Sequence, residues 1–251
     1  LPSLPLGDNT DIEATAEPYW IWVNVTEIRA YESNPRQCPN QEYDRIKASI
    51  RTQGLDLPLA ITRRPGQRHY LPCAGGNTRL KILQELYAES GDEQLLNIHC
   101  LYKPWVEESQ VLLAHLRENE LRGNLSFIDK AHAILEAKRL LESEMSNSPI
   151  SQRRLAKLIT DRGLSISHSM ISKMTYAVER LLPLIPQALG AGMGKPQVEK
   201  LNILERTCRQ LWHHRALGSD AEFEETFAVL CRRYDNPDWD IHSLTAALEH
   251  E

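Results

Sequence analysis

The chain has 251 residues, with 41% hydrophobic and 25% charged content, the proportions of a soluble globular protein of about two domains. No apolar run approaches the ~18 residues of a membrane span, and the N-terminus lacks the basic-then-apolar pattern of a signal peptide. The net charge of −5 would by itself argue against a nucleic-acid partner, but it averages over an uneven pattern.

Residues 1–33 carry six acids and one base, residues 219–251 nine acids and two bases, and residues 34–218 the remaining 26 bases against 19 acids. A basic body lies between two acidic ends, so net charge excludes little. The chain starts at Leu1 rather than Met, as a processed or excised chain would. Five cysteines (Cys38, Cys73, Cys100, Cys208, Cys231) are scattered, odd in number and form no CxxC pair. They point to a reducing cytoplasm and away from zinc, haem or a disulfide framework.

Residues 1–19 read as a loose leader, poor in periodicity. Trp20 to Val25 is aromatic and β-branched and predicts a strand. Asn34-Pro35 marks a turn. Residues 41–53 predict a helix that stops at Gly54. Leu55 to Thr62 and Tyr70 to Ala74 predict two strands around the Pro65-Gly66 turn. A helix is expected over Thr78 to Glu89, and a further strand over Leu95 to Tyr102. From about residue 107 the pattern is helical almost throughout, with a linker at Ser143 to Pro149. Strands first and helices afterwards predict an α+β N-terminal domain (20–125), an all-α domain (126–195) and an acidic helical C-terminal segment (196–251).

Three segments carry chemistry. Ala74-Gly75-Gly76-Asn77-Thr78-Arg79 joins a strand to a helix. Its glycines allow close backbone approach, the helix N-terminus offers N–H groups to an anion, and Arg79 offers a phosphate fork. The alternative is a tight turn with Arg79 on a solvated face. Glu118 and Asn119 offer hard oxygen ligands suited to Mg²⁺ beside a phosphate, or else form a polar helix end. They precede a helix start at Ser126, with Asp129 three residues on.

Residues 151–182 hold the third segment. Ser151 is an N-cap, Leu155, Ala156, Leu158 and Ile159 form one apolar face, and Gly163 supplies a turn. A second helix starts near Ser167, with Met170, Ile171, Met174, Ala177 and Val178 inward. His168, Ser169, Ser172, Lys173 and Tyr176 are expected outward. Six bases, among them Arg153 and Arg154, face two acids. This is the pattern of a DNA-binding helix-turn-helix, or of an αα-hairpin in a bundle. The last segment offers two apolar faces, Leu201/Leu204/Cys208/Leu211/Trp212 and Phe223/Phe227/Leu230/Tyr234, expected to pack back on the helix-turn-helix helices before them, or else to form a protein-interaction or dimer surface.

In this order the segments resemble the ParB family of DNA-binding partition proteins, whose N-terminal domain is ParB/sulfiredoxin-like. The matching residues are Asn34-Pro35-Arg36, Ile50 with Gly54 and Pro58, Gly76 to Leu80, Glu118 to Arg122 with Asn124-Leu125-Ser126, and the helix-turn-helix. They span residues 20–205, and their looser form is similar to ParB-type proteins of integrating conjugative elements. The resemblance implies an α+β ParB/sulfiredoxin-like domain, then an all-α helix-turn-helix domain and a helical C-terminal extension.

It also implies partition or maintenance of a plasmid, chromosome or conjugative element by a dimeric clamp gated by CTP and Mg²⁺. Gly75, Gly76, Asn77, Thr78 and Arg79 would cradle the triphosphate, with Arg36, Asn119 and Arg122 adding contacts. Glu118 and Asn119 would sit at the metal, with Glu118 as the catalytic residue of a CTP hydrolase. Arg153, Arg154, His168, Ser169, Ser172, Lys173 and Tyr176 would meet double-stranded DNA. The implied partners are a second copy and a ParA-type ATPase, and the implied place is the cytoplasmic nucleoid, with no membrane.

The usual family turn is Gly-Glu-Arg-Arg followed by a base; here it is Gly76-Asn77-Thr78-Arg79 followed by Leu80. The Gln commonly found before the proline is Leu57. The sulfiredoxin cysteine position is Asn77, which speaks against that enzyme. The competing functions are a nucleotide hydrolase and a helix-turn-helix transcriptional regulator without a partition role.

Overall fold

The computed structural model describes residues 17–36, 40, 42–123 and 125–250. Residues 1–16 of the expected leader, Cys38 and Asn124 of the Asn-Leu-Ser string lie outside the described residues. The chain divides into two compact units, one ending at Glu118 and the other beginning at Asn119.

The first unit holds a four-stranded mixed sheet in the order β1-β4-β2-β3: β1 Tyr19–Asn24, β2 Ala60–Thr62, β3 Leu71–Pro72 and β4 Asn97–Tyr102. β1 and β3 run antiparallel to their neighbours, while β2 and β4 are parallel. Along β1 the side chains alternate as a strand requires. Val23 points into the core with Ile61, Ile98 and Cys100, while Trp20 and Trp22 point out.

Helices α1 (Tyr43–Gln53) and α2 (Asn77–Ser90) supply Ile50, Leu80, Leu83 and Leu86 to that core. Gly54, at φ +77°, ends α1 as expected, its N–H donating to Ile50 O at 3.0 Å. Gln84 of α2 donates from Nε2 to the carbonyls of Val25 and Ile28, at 2.9 and 3.0 Å. This fixes the 3₁₀ turn Val25–Glu27 that follows β1.

Three boundaries differ from the sequence reading. The strand expected from Leu95 begins only at Asn97. Asp92 accepts from Gln94 N at 2.9 Å and caps a short helix α3, Glu93–Leu96, which takes the two leucines. The strand expected over Leu55 to Thr62 is confined to Ala60–Thr62, because Pro58 has no N–H for a ladder. The return strand is cut to two residues for the same reason at Pro72, although Cys73 N still donates to Ala60 O at 3.0 Å.

Helix α4 (Glu108–Leu121) contains the division between the units. Its first turn is fixed by Glu108, which takes two charge-assisted hydrogen bonds of 2.8 Å from Arg64.

The second unit is helical: α5 Phe127–Glu144, α6 Gln152–Asp161, α7 His168–Thr175, a π-helical turn Tyr176–Leu181, α8 Pro186–Gly190, α9 Lys195–His214, α10 Asp220–Arg233 and α11 Ile241–His250. Ser126, Ser151 and Ser167 cap α5, α6 and α7, as their positions in the sequence predict. The linker expected at Ser143 to Pro149 starts late, since α5 runs to Glu144. Ser146 and Asn147 then take positive φ, and Ile150 N donates to the Glu142 carboxylate at 2.8 Å.

The C-terminal helices do pack on the helices before them. Asp235 accepts from the N–H groups of Gln187 and Ala188, at 3.1 and 2.9 Å, and so caps α8. Phe223, Phe227 and Leu230 are buried as expected, but Leu211 is 47% exposed. The deeply buried residue of α9 besides Val198 and Leu201 is an acid, Glu205. Among the described residues no helix is long and apolar enough to cross a membrane.

Candidate functional site

The glycine turn is built against α4. Gly75 and Gly76 hold φ of +61° and +93°, a region open to glycine at little cost. Gly76 is the N-cap of α2, so the free N–H groups of that helix start at the turn. His115 of α4 is fully buried and spans the turn. Its Nδ1 accepts from Gly75 N at 3.2 Å and its Nε2 donates to Pro72 O at 2.8 Å. That pattern requires the neutral ring. Burial pushes the imidazole down to about 4, against the opposing pull of the Pro72 carbonyl.

Tyr31 stacks on His115 with ring centroids 4.6 Å apart and planes 19° apart. The Tyr31 backbone is in turn held from both sides by Asn77. Tyr31 N donates to Asn77 Oδ1 at 3.1 Å, and Asn77 Nδ2 donates to Tyr31 O at 3.0 Å. Sequence reading missed His115 and Tyr31. They are remote from the turn in sequence, and neither lies in a recognisable motif.

Glu118 follows His115 by three residues and lies on the same side of α4. Its carboxylate lies directly against Gly75: a Cβ added there would sit 2.5 Å from Glu118 Cδ. Two of the three segments singled out in the sequence therefore meet in space. A carboxylate stands beside the N-terminus of α2, where an anion is electrostatically favoured.

The remaining predicted site residues fall as follows. Arg79 reaches back across the turn and donates from Nη1 to the Leu57 carbonyl. Thr78 is half-buried in the first turn of α2. Arg36 is half-buried and donates to Asn40 Oδ1 at 3.4 Å. Asn119 is buried and Arg122 exposed, both in the second unit. Among the described residues no cluster of three His, Cys, Asp or Glu suits a metal ion. Glu118 and Asn119 are hard oxygen donors of the right kind, but a cation there would need phosphate oxygens to complete its shell. Cys73 is buried and its thiol pushed up by burial, consistent with a packing role rather than sulfur chemistry.

In the second unit α6 and α7 are joined by residues 162–167, with Gly163 at φ +87°. Arg153 and Arg154 are exposed at the start of α6, and His168, Ser169 and Ser172 on α7. Lys173 is half-buried and pairs with Glu199 of α9 at 2.8 Å. Tyr176 departs from its expected outward position. Its hydroxyl donates to Glu205 Oε2 at 2.6 Å, because the π-helical turn begins at this residue and turns it towards α9. Arg180 and Arg209 also converge on Glu205, at 2.8 and 3.0 Å.

No family model matches the chain. A pNOB8-like ParB N-domain aligns with a TM-score of 0.53 at 11% identity, over 93% of this chain and 96% of that one. A second form of a pNOB8-like ParB-N domain aligns with a TM-score of 0.50 at 13% identity, over 70% and 78%. The chain has the ParB N-domain fold.

A curated relative, "Putative replication protein B" of Rhizobium rhizogenes, is 30% identical over 162 residues. That stretch covers 64% of this chain and 45% of the relative, so the chain spans less than half the length of the curated protein it matches. Within the ParB N-domain fold, the turn before α2 and the α4 carboxylate are the parts now fixed by geometry.

Two outcomes follow from the turn. Gly75→Ala is expected to cost about 1–2 kcal/mol from its positive φ, plus a steric part from Glu118. Urea unfolding in a Glu118→Ala background should recover the steric part and leave the backbone part. His115 should make the first unit acid-sensitive. Its folded pKa of about 4 lies below the unfolded 6.5, so its contribution is complete above pH 6.5. That contribution is lost as pH falls towards 4, in total on the order of 3 kcal/mol. Thermal melts between pH 7 and 4 should show this loss, and His115→Leu, less stable at pH 7, should show a shallower one.

Proposed function

We propose that the chain is a ParB-type DNA-binding protein. It acts in partition or maintenance of a plasmid, chromosome or integrating conjugative element, as a homodimeric clamp gated by CTP and Mg²⁺. The observation that carries the reading is the pair α6–α7. Two Ser-capped helices stand around Gly163, with Arg153 and Arg154 exposed on the first and a short polar head, His168, Ser169 and Ser172, exposed on the second. In a helix-turn-helix the second helix enters the major groove by its N-terminal residues, while the first spans the backbone. Arg153 and Arg154 then take phosphates. His168, Ser169, Ser172 and Lys173 reach base edges, Lys173 after leaving Glu199. Tyr176 supports the helix from behind.

The nucleotide reading rests on the meeting of Gly75 and Glu118. The N–H groups at the start of α2 suit the phosphates, with Thr78 and Arg79 in the same helical turn and Arg36 of the same unit as a further phosphate contact. Mg²⁺ would neutralise phosphate charge when bound. Glu118 and Asn119 would hold it, and Glu118 would orient a water at the γ-phosphate. A ParA-type ATPase remains the partner implied by a partition role, and the nucleoid its place.

Fluorescence anisotropy tests the DNA surface. Arg153→Ala/Arg154→Ala should weaken binding to any duplex and lower the slope of log K against log salt by about 2. Ser172→Ala should change the preferred sequence and leave the slope unchanged. Equal binding by wild type and the double variant would place the DNA surface elsewhere. Isothermal titration with CTP and Mg²⁺ tests the second part: binding is expected in the wild type and lost in Arg79→Ala. Absence of heat with all four nucleoside triphosphates would remove the nucleotide from the reading.

A further inference from the structure

We propose that β1 is a self-association edge, through which two copies of this chain pair antiparallel along Tyr19–Asn24 and join their sheets. The sheet ends in two edges of different character. β3 is two residues long and one of them is proline, which has no N–H to give a further strand. β1 runs for six residues, Tyr-Trp-Ile-Trp-Val-Asn, and among the described residues β4 is its only neighbour in the sheet. It carries no charged residue and no proline. Its register with β4 is unbroken from Tyr19 to Asn24, so no bulge twists the edge away. Charge, proline, bulges and shortness are the usual guards of an exposed edge, and β1 lacks all four.

The outward face of this strand is aromatic. Trp20 is 53% and Trp22 72% exposed. His99 of β4 stacks on both, with ring centroids 4.8 Å from Trp20 and 5.1 Å from Trp22 and planes 28° and 26° apart. Stacking restrains the indoles before any partner arrives, which lowers the entropy lost on association. Exposed, restrained tryptophans are the residues that most often carry an interface.

The symmetry of the strand selects a second copy as the occupant. Trp20 and Trp22 are equidistant from Ile21, and so are Tyr19 and Val23. A two-fold axis at Ile21 sets Trp20 against the partner subunit's Trp22 on the outward face. It sets Tyr19 against the partner subunit's Val23 on the core face. Cross-strand neighbours point to the same side of a sheet, so this register keeps the helices of both copies on one side. A two-fold axis brings like residues together, and an uncharged strand meets no repulsion there. The product is an eight-stranded sheet with four indoles and two imidazoles on its open face.

Pairing through β1 requires neither DNA nor nucleotide, so its test is independent of both. Sedimentation of the full chain at tens of micromolar should show a dimer, and Trp22→Glu, an exposed substitution, should shift it towards monomer by tenfold or more in Kd. Ile21→Cys places a thiol on the axis, and a short bis-maleimide should then give a covalent dimer that the wild-type chain does not give. The cross-link decides. With it, and with a dimeric wild-type chain, the pairing stands. Without it, or with a monomeric wild-type chain, the pairing is wrong.

Discussion

The shape of the glycine turn depends on a buried imidazole that stays neutral. Between Pro72 and Gly75 the chain leaves the sheet and enters α2, and it leaves one carbonyl and one N–H inside the protein without a strand to pair them. His115 satisfies both with its two ring nitrogens. A buried backbone group left unpaired costs about 1–3 kcal/mol, so the ring removes two such costs at once. A charged ring would have a second donor facing Gly75 N–H, and the bridge would open. The same ring gives Tyr31 a stacking surface, and Tyr31 gives Asn77 a backbone to hold. Strand end, turn, helix start and α4 therefore form one cooperative set. Glu118 meets Gly75 because it lies one helical turn beyond His115, so the position of the carboxylate is a consequence of the bridge.

The second unit is organised around an opposite choice, a charge kept inside. Glu205 is buried in α9 and accepts from the Tyr176 hydroxyl, Arg180 and Arg209. Both arginines also reach Glu224 of α10. The side chains of Arg180 and Arg209 lie over Phe227 and Phe223, which screens the cluster from water. Desolvation offsets much of the attraction in such a cluster. Its effect is geometric: it fixes the π-helical turn that follows α7, and with it the orientation of the exposed head of that helix. The acidic excess of the C-terminal segment thus has work inside the unit. Glu224 and Asp220 pair with Arg209, Asp235 caps α8, and Glu222 completes a capping box with Ser219. Part of the acidic end that sequence arithmetic sets apart from the basic body, Asp220 and Glu224, is an internal counter-charge to it.

Local signals were legible and distant ones were not. Ser126, Ser151 and Ser167 cap helices because a serine oxygen reaches an N–H three residues on, and that information lies within four positions. Gly54 and Gly76 mark a helix end and a helix start for the same reason. Leu95 and Leu96 fit a short strand and a helical turn equally well. Asp92, an N-cap three residues before, decided between them. A regular 3.6-residue period points Tyr176 outward, and the π-helical turn changes that period at this residue. Glu205 was hidden among apolar neighbours, since the arginines that make its burial tolerable lie on other helices or a full turn away. The bridge by His115 needs 40 residues of intervening chain to fold before its partners meet.

Asn77 and Leu80 have a physical reading in these contacts. The Tyr31 backbone presents one N–H and one C=O to residue 77. An amide side chain has one acceptor and one donor end, and Asn77 uses each once. A carboxylate offers acceptors only, so a glutamate at this place would leave the Tyr31 carbonyl facing a negative charge. The amide at 77 therefore matches the Tyr31 backbone that stacks with His115. Leu80 is fully buried in the core of the first unit. What the turn can still offer an anion is main-chain N–H groups, the Thr78 hydroxyl and the Arg79 guanidinium. In the proposed role those groups would meet a phosphate by charge and geometry, without reference to the base attached to it.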